Sequence, residues 1–141
     1  ERAPIEHYDV VTWLKVMHVN VNAAFILTQA LLPMLRVAPD ASVVFTTSGV
    51  SVRGRAYWGA YAASKFAVEG LVQVLADETD TSTSIRVNSV NPGGIRTAMR
   101  AKAFPGEVPD TLPTPEQVLG PFLYLLGPGG RGTTGRRFDA Q

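Results

Sequence analysis

The stretch Ser48-Gly-Val-Ser-Val-Arg-Gly-Arg-Ala-Tyr-Trp-Gly-Ala-Tyr61-Ala-Ala-Ser-Lys65 leads from the end of a predicted strand into a predicted helix. Tyr61 and Lys65 are four residues apart, so they share one face of that helix. A cation held beside a phenol favours the phenolate, which makes the tyrosine a better proton donor and acceptor near neutral pH. The hydroxyl of Ser48 can hold a substrate oxygen against that phenol. The stretch therefore predicts a site that moves a proton on and off an alcohol or carbonyl oxygen.

Helical and strand-like patterns alternate on either side of this stretch. Apolar residues recur at steps of three and four from about Asp9 to Arg36, which predicts a helix with Asp9 as its N-cap. Pro33 should disturb the last turns of that helix. The other predicted elements are strand 41–47, helix 57–78, strand 84–91, a mainly irregular segment 98–113, helix 114–126 and a last short strand near 134–139.

This order of elements predicts an α/β fold whose strands are parallel and joined by helical crossovers. In such sheets ligands bind beyond the carboxyl ends of the strands. Ser48 follows one predicted strand, and Pro92-Gly93-Gly94 follows the next. We therefore expect both segments at the same edge of the sheet.

The composition excludes several other classes of site. The 141 residues can form one domain, and the formal net charge of +1 gives no reason to expect a nucleic acid or an anionic membrane as partner. There are no cysteines, so disulfides, thiol catalysis and cysteine-ligated zinc are excluded, and no metal is expected. The longest apolar run, Phe25 to Leu35, is interrupted by polar residues and proline, and is too short to span a bilayer. We expect a cytoplasmic protein.

Taken together, the motifs resemble those of the short-chain dehydrogenase/reductase family. The resemblance rests on the Val19-Asn20-Val21 stretch, the strand that ends in Ser48, the Tyr61-x-x-x-Lys65 pair and Pro92-Gly93-x-x-x-Thr97. It covers essentially the whole chain. Within the family the chain is most similar to the YciK-type oxidoreductases, through Trp58–Ala67, Gln73–Glu78, Asn91–Arg100 and Phe138–Gln141.

The resemblance implies a fold and an activity. The chain would be the C-terminal part of a single doubly wound, Rossmann-like domain. The protein would transfer a hydride between a nicotinamide cofactor, NADP slightly favoured over NAD, and a small-molecule carbonyl or secondary alcohol. The two long helices, Asp9–Arg36 and Tyr57–Glu78, would pair with their symmetry mates in a homodimer or homotetramer.

The resemblance also implies roles for individual residues. Tyr61 would be the general acid/base, and Lys65 would assist the phenol and bind the nicotinamide ribose. Ser48 would hydrogen-bond the substrate oxygen. Asn20 would sit at a break in its helix and hold a water that links Lys65 to solvent. The implied catalytic set is Asn20, Ser48, Tyr61 and Lys65, and the implied cofactor-binding set is Tyr61, Lys65, Pro92, Gly93, Ile95 and Thr97.

The chain departs from the family pattern in one large respect. The glycine-rich phosphate loop Thr-Gly-x-x-x-Gly-x-Gly is absent, and Gly127-Pro-Gly-Gly-Arg-Gly132 cannot replace it because it follows a predicted helix instead of a strand. The chain is either a piece of a longer protein, which we favour, or a short product that cannot hold a dinucleotide. The isolated 141 residues are expected to be poorly stable and inactive.

Other interpretations of the same residues stay open. The chain could be a catalytically silent relative that acts in binding or assembly. A hydrolase with Ser48 as nucleophile is disfavoured, because no Gly-x-Ser-x-Gly elbow surrounds it. Trp13 is expected in the core. Tyr57 and Trp58 either shape a substrate pocket or only pack, and Arg96 and Arg100 either meet an anion or are solvated.

Overall fold

The computed structural model describes residues 2–141, which form a three-stranded parallel sheet with helices packed against it. The strands are β1 (Ala41–Thr46), β2 (Ile85–Asn91) and β3 (Arg137–Asp139), in the order β1-β2-β3. The α-helices are α1 (Val10–Met17), α2 (Ala23–Val37), α3 (Gly59–Asp80), α4 (Ala98–Ala103) and α5 (Gly120–Leu126). A π-helical turn, His18–Asn22, joins α1 to α2. Short 3₁₀ turns occur at Ile5–His7, Gly49–Ser51, Pro109–Thr111, Pro115–Val118 and Pro128–Gly130.

The strand register brings the carboxyl ends of the strands to one edge of the sheet. β1 and β2 pair in parallel up to Thr46 opposite Val90, and β2 and β3 pair up to Asn91 opposite Asp139. Ser48 and Pro92 therefore leave the sheet at the same edge. The predicted α/β, Rossmann-like arrangement of parallel strands is confirmed.

The core lies on both faces of β2, whose residues are buried except for the last one. Alternate strand side chains point to opposite faces. Ile85 and Val87 join the cluster beneath α3, while the Ser42 hydroxyl and the Arg86 guanidinium donate to the Leu125 carbonyl oxygen of α5. The sheet is thus covered by α3 on one face and by α5 on the other.

Helix boundaries differ from the sequence expectation where the backbone conformation forbids a helix. α3 begins at Gly59 instead of residue 57, because Tyr57 has a positive φ of 70°, which a helix cannot contain. The predicted helix 114–126 divides into the 3₁₀ turn Pro115–Val118 and α5.

The long N-terminal helix is continuous from Val10 to Val37 through the π-helical turn. Asp9 caps it as predicted, since its carboxylate accepts a hydrogen bond from the Thr12 amide at 2.7 Å. The expectation that Pro33 disturbs the last turns is wrong, because α2 continues for four residues beyond it. Leu32 and Leu35 pack against the core on either side of Pro33 and stabilise this part of the helix.

Most apolar side chains on this helix are exposed. Thr28 is the one buried residue of α2, and α1 has none. By length and composition alone, Val10–Val37 could cross a membrane, and none of its apolar window is buried; a signal sequence and a mostly buried core helix pass the same test. Trp13 is half-buried instead of lying in the core, and its ring meets that of Tyr8 edge-on at 6.1 Å.

Leu125 is the largest fully buried side chain among residues 2–141, with an exposed fraction of 0%, and it anchors α5 on the sheet. In the whole protein, Leu125→Ala should lower the free energy of unfolding by about 2–5 kcal/mol, because it leaves a cavity that the sheet cannot close. Leu123→Ala, on the same helix but 65% exposed, is the control and should cost less than about 1 kcal/mol. Urea denaturation measures both, and equal losses would contradict this description of the core.

Candidate active site

Tyr61 and Lys65 lie on the same side of the first turns of α3. The Lys65 ammonium is 5.7 Å from the centre of the Tyr61 ring and donates a hydrogen bond to the Thr46 carbonyl oxygen at 2.9 Å. Burial lowers the pKa of Lys65 below its ordinary value, and the negative charge of Glu69 offsets part of that effect. The amine is thus held at the carboxyl end of β1, beside the phenol.

Ser48 follows β1 in an extended conformation and opens a tight turn. Its carbonyl oxygen accepts hydrogen bonds from both the amide and the hydroxyl of Ser51, at 3.0 and 2.7 Å. Within residues 2–141, the Ser48 hydroxyl and the Tyr61 phenol make no hydrogen bond of their own. Both oxygens are therefore available to a ligand at the edge of the sheet.

Asn20 lies in the π-helical turn, so the expected break in its helix takes the form of one wide turn. Its amide donates to the Ser64 hydroxyl at 2.9 Å, and that hydroxyl donates to the Tyr61 carbonyl oxygen at 2.8 Å. Asn20 and Lys65 also line one groove of about 500 Å³ between α2 and β1. π-Helical turns are frequent at functional sites, and this one brings Asn20 onto the first turns of α3.

The loop after β2 brings the other predicted residues to the same edge. Gly93 has a positive φ of 75°, a conformation that favours glycine, and its amide donates to the Asn91 side-chain oxygen at 3.1 Å. The side-chain amide of Gln141 donates a hydrogen bond to the Pro92 carbonyl oxygen at 2.6 Å, so that acceptor is already engaged. Ile95 is half-buried, and the Thr97 hydroxyl caps α4 by accepting from the Arg100 amide at 3.1 Å.

An aromatic cluster, formed by Trp58 and Phe104, lies beside Tyr61. The Trp58 ring lies 5.7 Å from that of Tyr61 and 5.8 Å from that of Phe104. The guanidinium of Arg2 stacks on this aromatic cluster, 4.0 Å from the centre of the Phe104 ring. The sequence left open whether Tyr57 and Trp58 shape a substrate pocket or only pack. Trp58 touches the candidate site, whereas Tyr57 is 59% exposed.

The two arginines of the following loop are each paired with a carboxylate. Arg100 makes two hydrogen bonds to Glu107, at 2.6 and 2.7 Å, which hold the pKa of Glu107 below its usual range. Arg96 pairs with Asp110 at 3.1 Å. Neither arginine is left with an uncompensated charge to attract an anion.

Sequence reasoning missed two residues at this site. Glu69 is a buried carboxylate one helical turn beyond Lys65, and its spacing of four residues from Lys65 was the available signal. Phe104 contacts Trp58 from across the chain, and no pattern in the sequence pairs them. Among residues 2–141, no cluster of three histidine, aspartate or glutamate side chains could hold a metal ion.

Comparison with known proteins adds independent evidence. The family model described as short chain dehydrogenase matches residues 1–108. The uncharacterized oxidoreductase YciK of Escherichia coli (strain K12) is 55% identical over 138 residues, which are 98% of this chain and 54% of YciK. The chain therefore spans about half the length of this curated relative.

Two solved structures share the fold at the same level of identity. A short chain dehydrogenase from Salmonella enterica serovar Typhi superimposes with a TM-score of 0.97 at 55% identity, over 100% of this chain and 58% of that one. A short chain dehydrogenase from Escherichia coli CFT073, solved as a complex with NADPH, gives a TM-score of 0.94 at 55% identity, over 99% and 57% of the two chains. The chain belongs to the short-chain dehydrogenase/reductase family, as its motifs led us to expect.

Proposed function

We propose that the whole protein is an oxidoreductase that transfers a hydride between a nicotinamide cofactor and a carbonyl or secondary alcohol substrate. The observation that carries this proposal is the half-buried Lys65 ammonium beside the Tyr61 ring, at the strand edge where Ser48 emerges. NADP is favoured over NAD, because the Escherichia coli CFT073 relative was crystallised with NADPH.

Each polar side chain at this edge of the sheet has its own role in the proton transfer. During reduction, Tyr61 donates its phenolic proton to the carbonyl oxygen while Ser48 holds that oxygen by a hydrogen bond. The positive charge of Lys65 stabilises the phenolate that remains. Asn20, through Ser64, keeps the first turns of α3 in place. The nicotinamide, when bound, supplies the hydride to the carbonyl carbon.

The donors at this edge fit the nicotinamide half of such a cofactor. A lysine ammonium has three N–H donors, and within the described residues Lys65 uses one, toward Thr46. The other two suit the hydroxyls of a ribose. The backbone from Pro92 to Thr97, with Gly93 and Ile95 between them, would line the nicotinamide amide, and the Thr97 hydroxyl keeps its own hydrogen for an acceptor there.

The phosphates of the cofactor need a part of the protein that this chain does not supply. We propose that the chain is the C-terminal part of one Rossmann-fold domain. Within residues 2–141, no strand pairs with the outer edge of β1, and the groove between β1 and α2 is lined by apolar side chains such as Leu31 and Val43. A further parallel strand from the rest of the protein would pair with β1 and fill this groove.

We also propose that the protein forms a homodimer or homotetramer through α2 and α3. Both helices expose large apolar side chains, which are costly to leave in water and mark interaction surfaces. Those with an exposed fraction of at least 45% are Phe25, Ile26, Leu27, Met34 and Val37 on α2, and Phe66 and Val74 on α3.

Tyr61→Phe tests the proton donor directly. Removing one hydroxyl should lower kcat by about 10²- to 10⁴-fold, with NADPH affinity and the urea midpoint nearly unchanged. Tyr124→Phe, an exposed tyrosine on α5, is the matched control and should keep full turnover. NADPH oxidation with a panel of aldehydes and ketones measures both. Undiminished turnover of Tyr61→Phe would show that the proton comes from another group.

Lys65→Arg tests the charge beside the phenol through its pH dependence. The pKa of Lys65 is lowered by burial, so its charge is present below that pKa and is lost as the pH rises through it. Wild-type turnover should therefore fall at a pH below the ordinary lysine value of 10.5. An arginine stays charged, so its residual activity should fall at a higher pH. Lys15→Arg, exposed on α1, is the control. If turnover of Lys65→Arg falls at the same pH as that of wild type, the role assigned to Lys65 is contradicted.

The chain expressed alone tests the need for the rest of the domain. A protein of these 141 residues should show no NADPH binding by fluorescence titration and no carbonyl reduction, since no phosphate loop is present and the β1 edge is unpaired. The whole protein is the positive control. Turnover by the 141-residue chain would overturn the proposed division of the domain.

A further inference from the structure

Glu69 is a buried charged group that the proton chemistry above does not use. It lies on α3 one turn beyond Lys65, and only 8% of its surface is exposed. A carboxylate in such surroundings is costly unless it is hydrogen-bonded and paired with a cation. Its contacts therefore show what it holds together.

Three other segments converge on the Glu69 carboxylate. The Ser89 hydroxyl of β2 lies 3.1 Å from each of its two oxygens. The Arg137 Nε of β3 is 3.5 Å from Oε1, and the Ser51 hydroxyl is 3.4 Å from the same oxygen. Glu69 thus joins α3 to β2, to β3 and to the turn after β1.

The contact with Ser51 leads to the first catalytic segment. The Ser51 hydroxyl donates mainly to the Ser48 carbonyl oxygen at 2.7 Å, with Glu69 Oε1 as a second, longer contact at 3.4 Å. The Ser51 amide donates to the same carbonyl oxygen. The conformation of the turn that presents Ser48 is therefore tied to the helix that carries Tyr61.

The contact with Arg137 leads to the second segment. Arg137 donates to Asp139 at 2.8 Å, and Asp139 accepts from the Asn91 amide at 2.6 Å. These contacts hold the pKa of Asp139 below its usual value, with the Asn91 hydrogen bond as the larger cause. Asn91 in turn accepts from the Gly93 amide. The link from Glu69 to the loop that begins at Pro92 therefore starts with a 3.5 Å ion pair, in which Arg137 Nε makes no hydrogen bond within the described residues, and continues through hydrogen bonds.

We propose that Glu69 is a positioning residue that fixes the Ser48 turn and the Gly93 loop relative to the helix of Tyr61 and Lys65. The expected effect on kcat rests on the proposed oxidoreductase function, whereas the expected effect on the two segments does not. The carboxylate interacts with two cations, Lys65 and Arg137, so its charge compensates both. An apolar side chain of the same size could fill the space but could make none of these links.

The experiment compares Glu69→Gln and Ser51→Ala with wild type, all in the whole protein. Glu78→Gln is the matched control, because it makes the same change at an exposed position of the same helix. The first measurement is millisecond hydrogen exchange of the amides in segments 48–53 and 93–97. The second is kcat and KM for NADPH-dependent reduction of a panel of aldehydes and ketones.

Glu69→Gln should speed exchange in both segments roughly tenfold, with α3 and β2 unchanged, because it removes the charged partner of Ser51 and Arg137. It should lower kcat about a hundredfold, as a small displacement of catalytic groups does, and change KM for NADPH less than about threefold. Ser51→Ala should speed exchange in segment 48–53 only, because it removes the hydrogen bond to the Ser48 carbonyl oxygen as well as the contact with Glu69, and it should leave segment 93–97 unchanged.

Unchanged exchange in both segments would overturn the proposal, and so would faster exchange throughout the domain, which indicates a role in stability alone. Faster exchange in the two segments with unchanged kcat would overturn the catalytic consequence. If the wild-type protein reduces no carbonyl, the proposed function fails, while the exchange measurements still decide whether Glu69 positions the two segments. Should Glu69→Gln not fold, Glu69→Asp, which keeps the charge but shortens the side chain, must speed exchange in both segments, and unchanged exchange would overturn the proposal.

Discussion

The candidate site depends on the parallel pairing of β1 with β2 beneath α3. Because the two strands run in the same direction, the turn after Thr46 and the loop after Asn91 leave the sheet side by side. α3 begins at this same edge, so its first turns stand over the strand ends. The hydrogen bond from Lys65 to the Thr46 carbonyl oxygen, at 2.9 Å, ties helix and strand together at this point. If the strands were antiparallel, Ser48 and Pro92 would lie at opposite ends of the sheet.

The charges at this edge of the sheet compensate one another. Lys65 is partly desolvated, which disfavours its ammonium form, and Glu69 compensates because it lies one turn away on the same helix. Arg137 provides a second cation, whose Nε lies 3.5 Å from the Glu69 carboxylate. In low-dielectric surroundings such interactions are stronger than in water. A cation can therefore be kept beside the Tyr61 phenol without a direct carboxylate partner that would neutralise it there.

Two irregular backbone segments bring further side chains to the site. The π-helical turn His18–Asn22 widens the long helix for one turn and directs Asn20 toward Ser64 of α3. The positive φ of Tyr57 ends the loop before α3 and allows the neighbouring Trp58 ring to pack between Tyr61 and Phe104. Both irregularities lie within or beside regular helices, and both place residues that contact the first turns of α3.

The sequence by itself determined the alternation of strands and helices, the shared helix face of Tyr61 and Lys65, and the position of Ser48 and Pro92 at strand ends. These features follow from short periodicities and from the rule that parallel strands end together. The roles assigned to Asn20, Ser48, Tyr61 and Lys65 stay predictions, as does the cofactor-binding set. Only the tertiary structure decided that α2 continues past Pro33, that Trp58 meets Phe104, that Gln141 engages Pro92 and that Glu69 joins four segments. Each of these depends on packing or on contacts between residues far apart in the chain, and local patterns carry no information about such pairs.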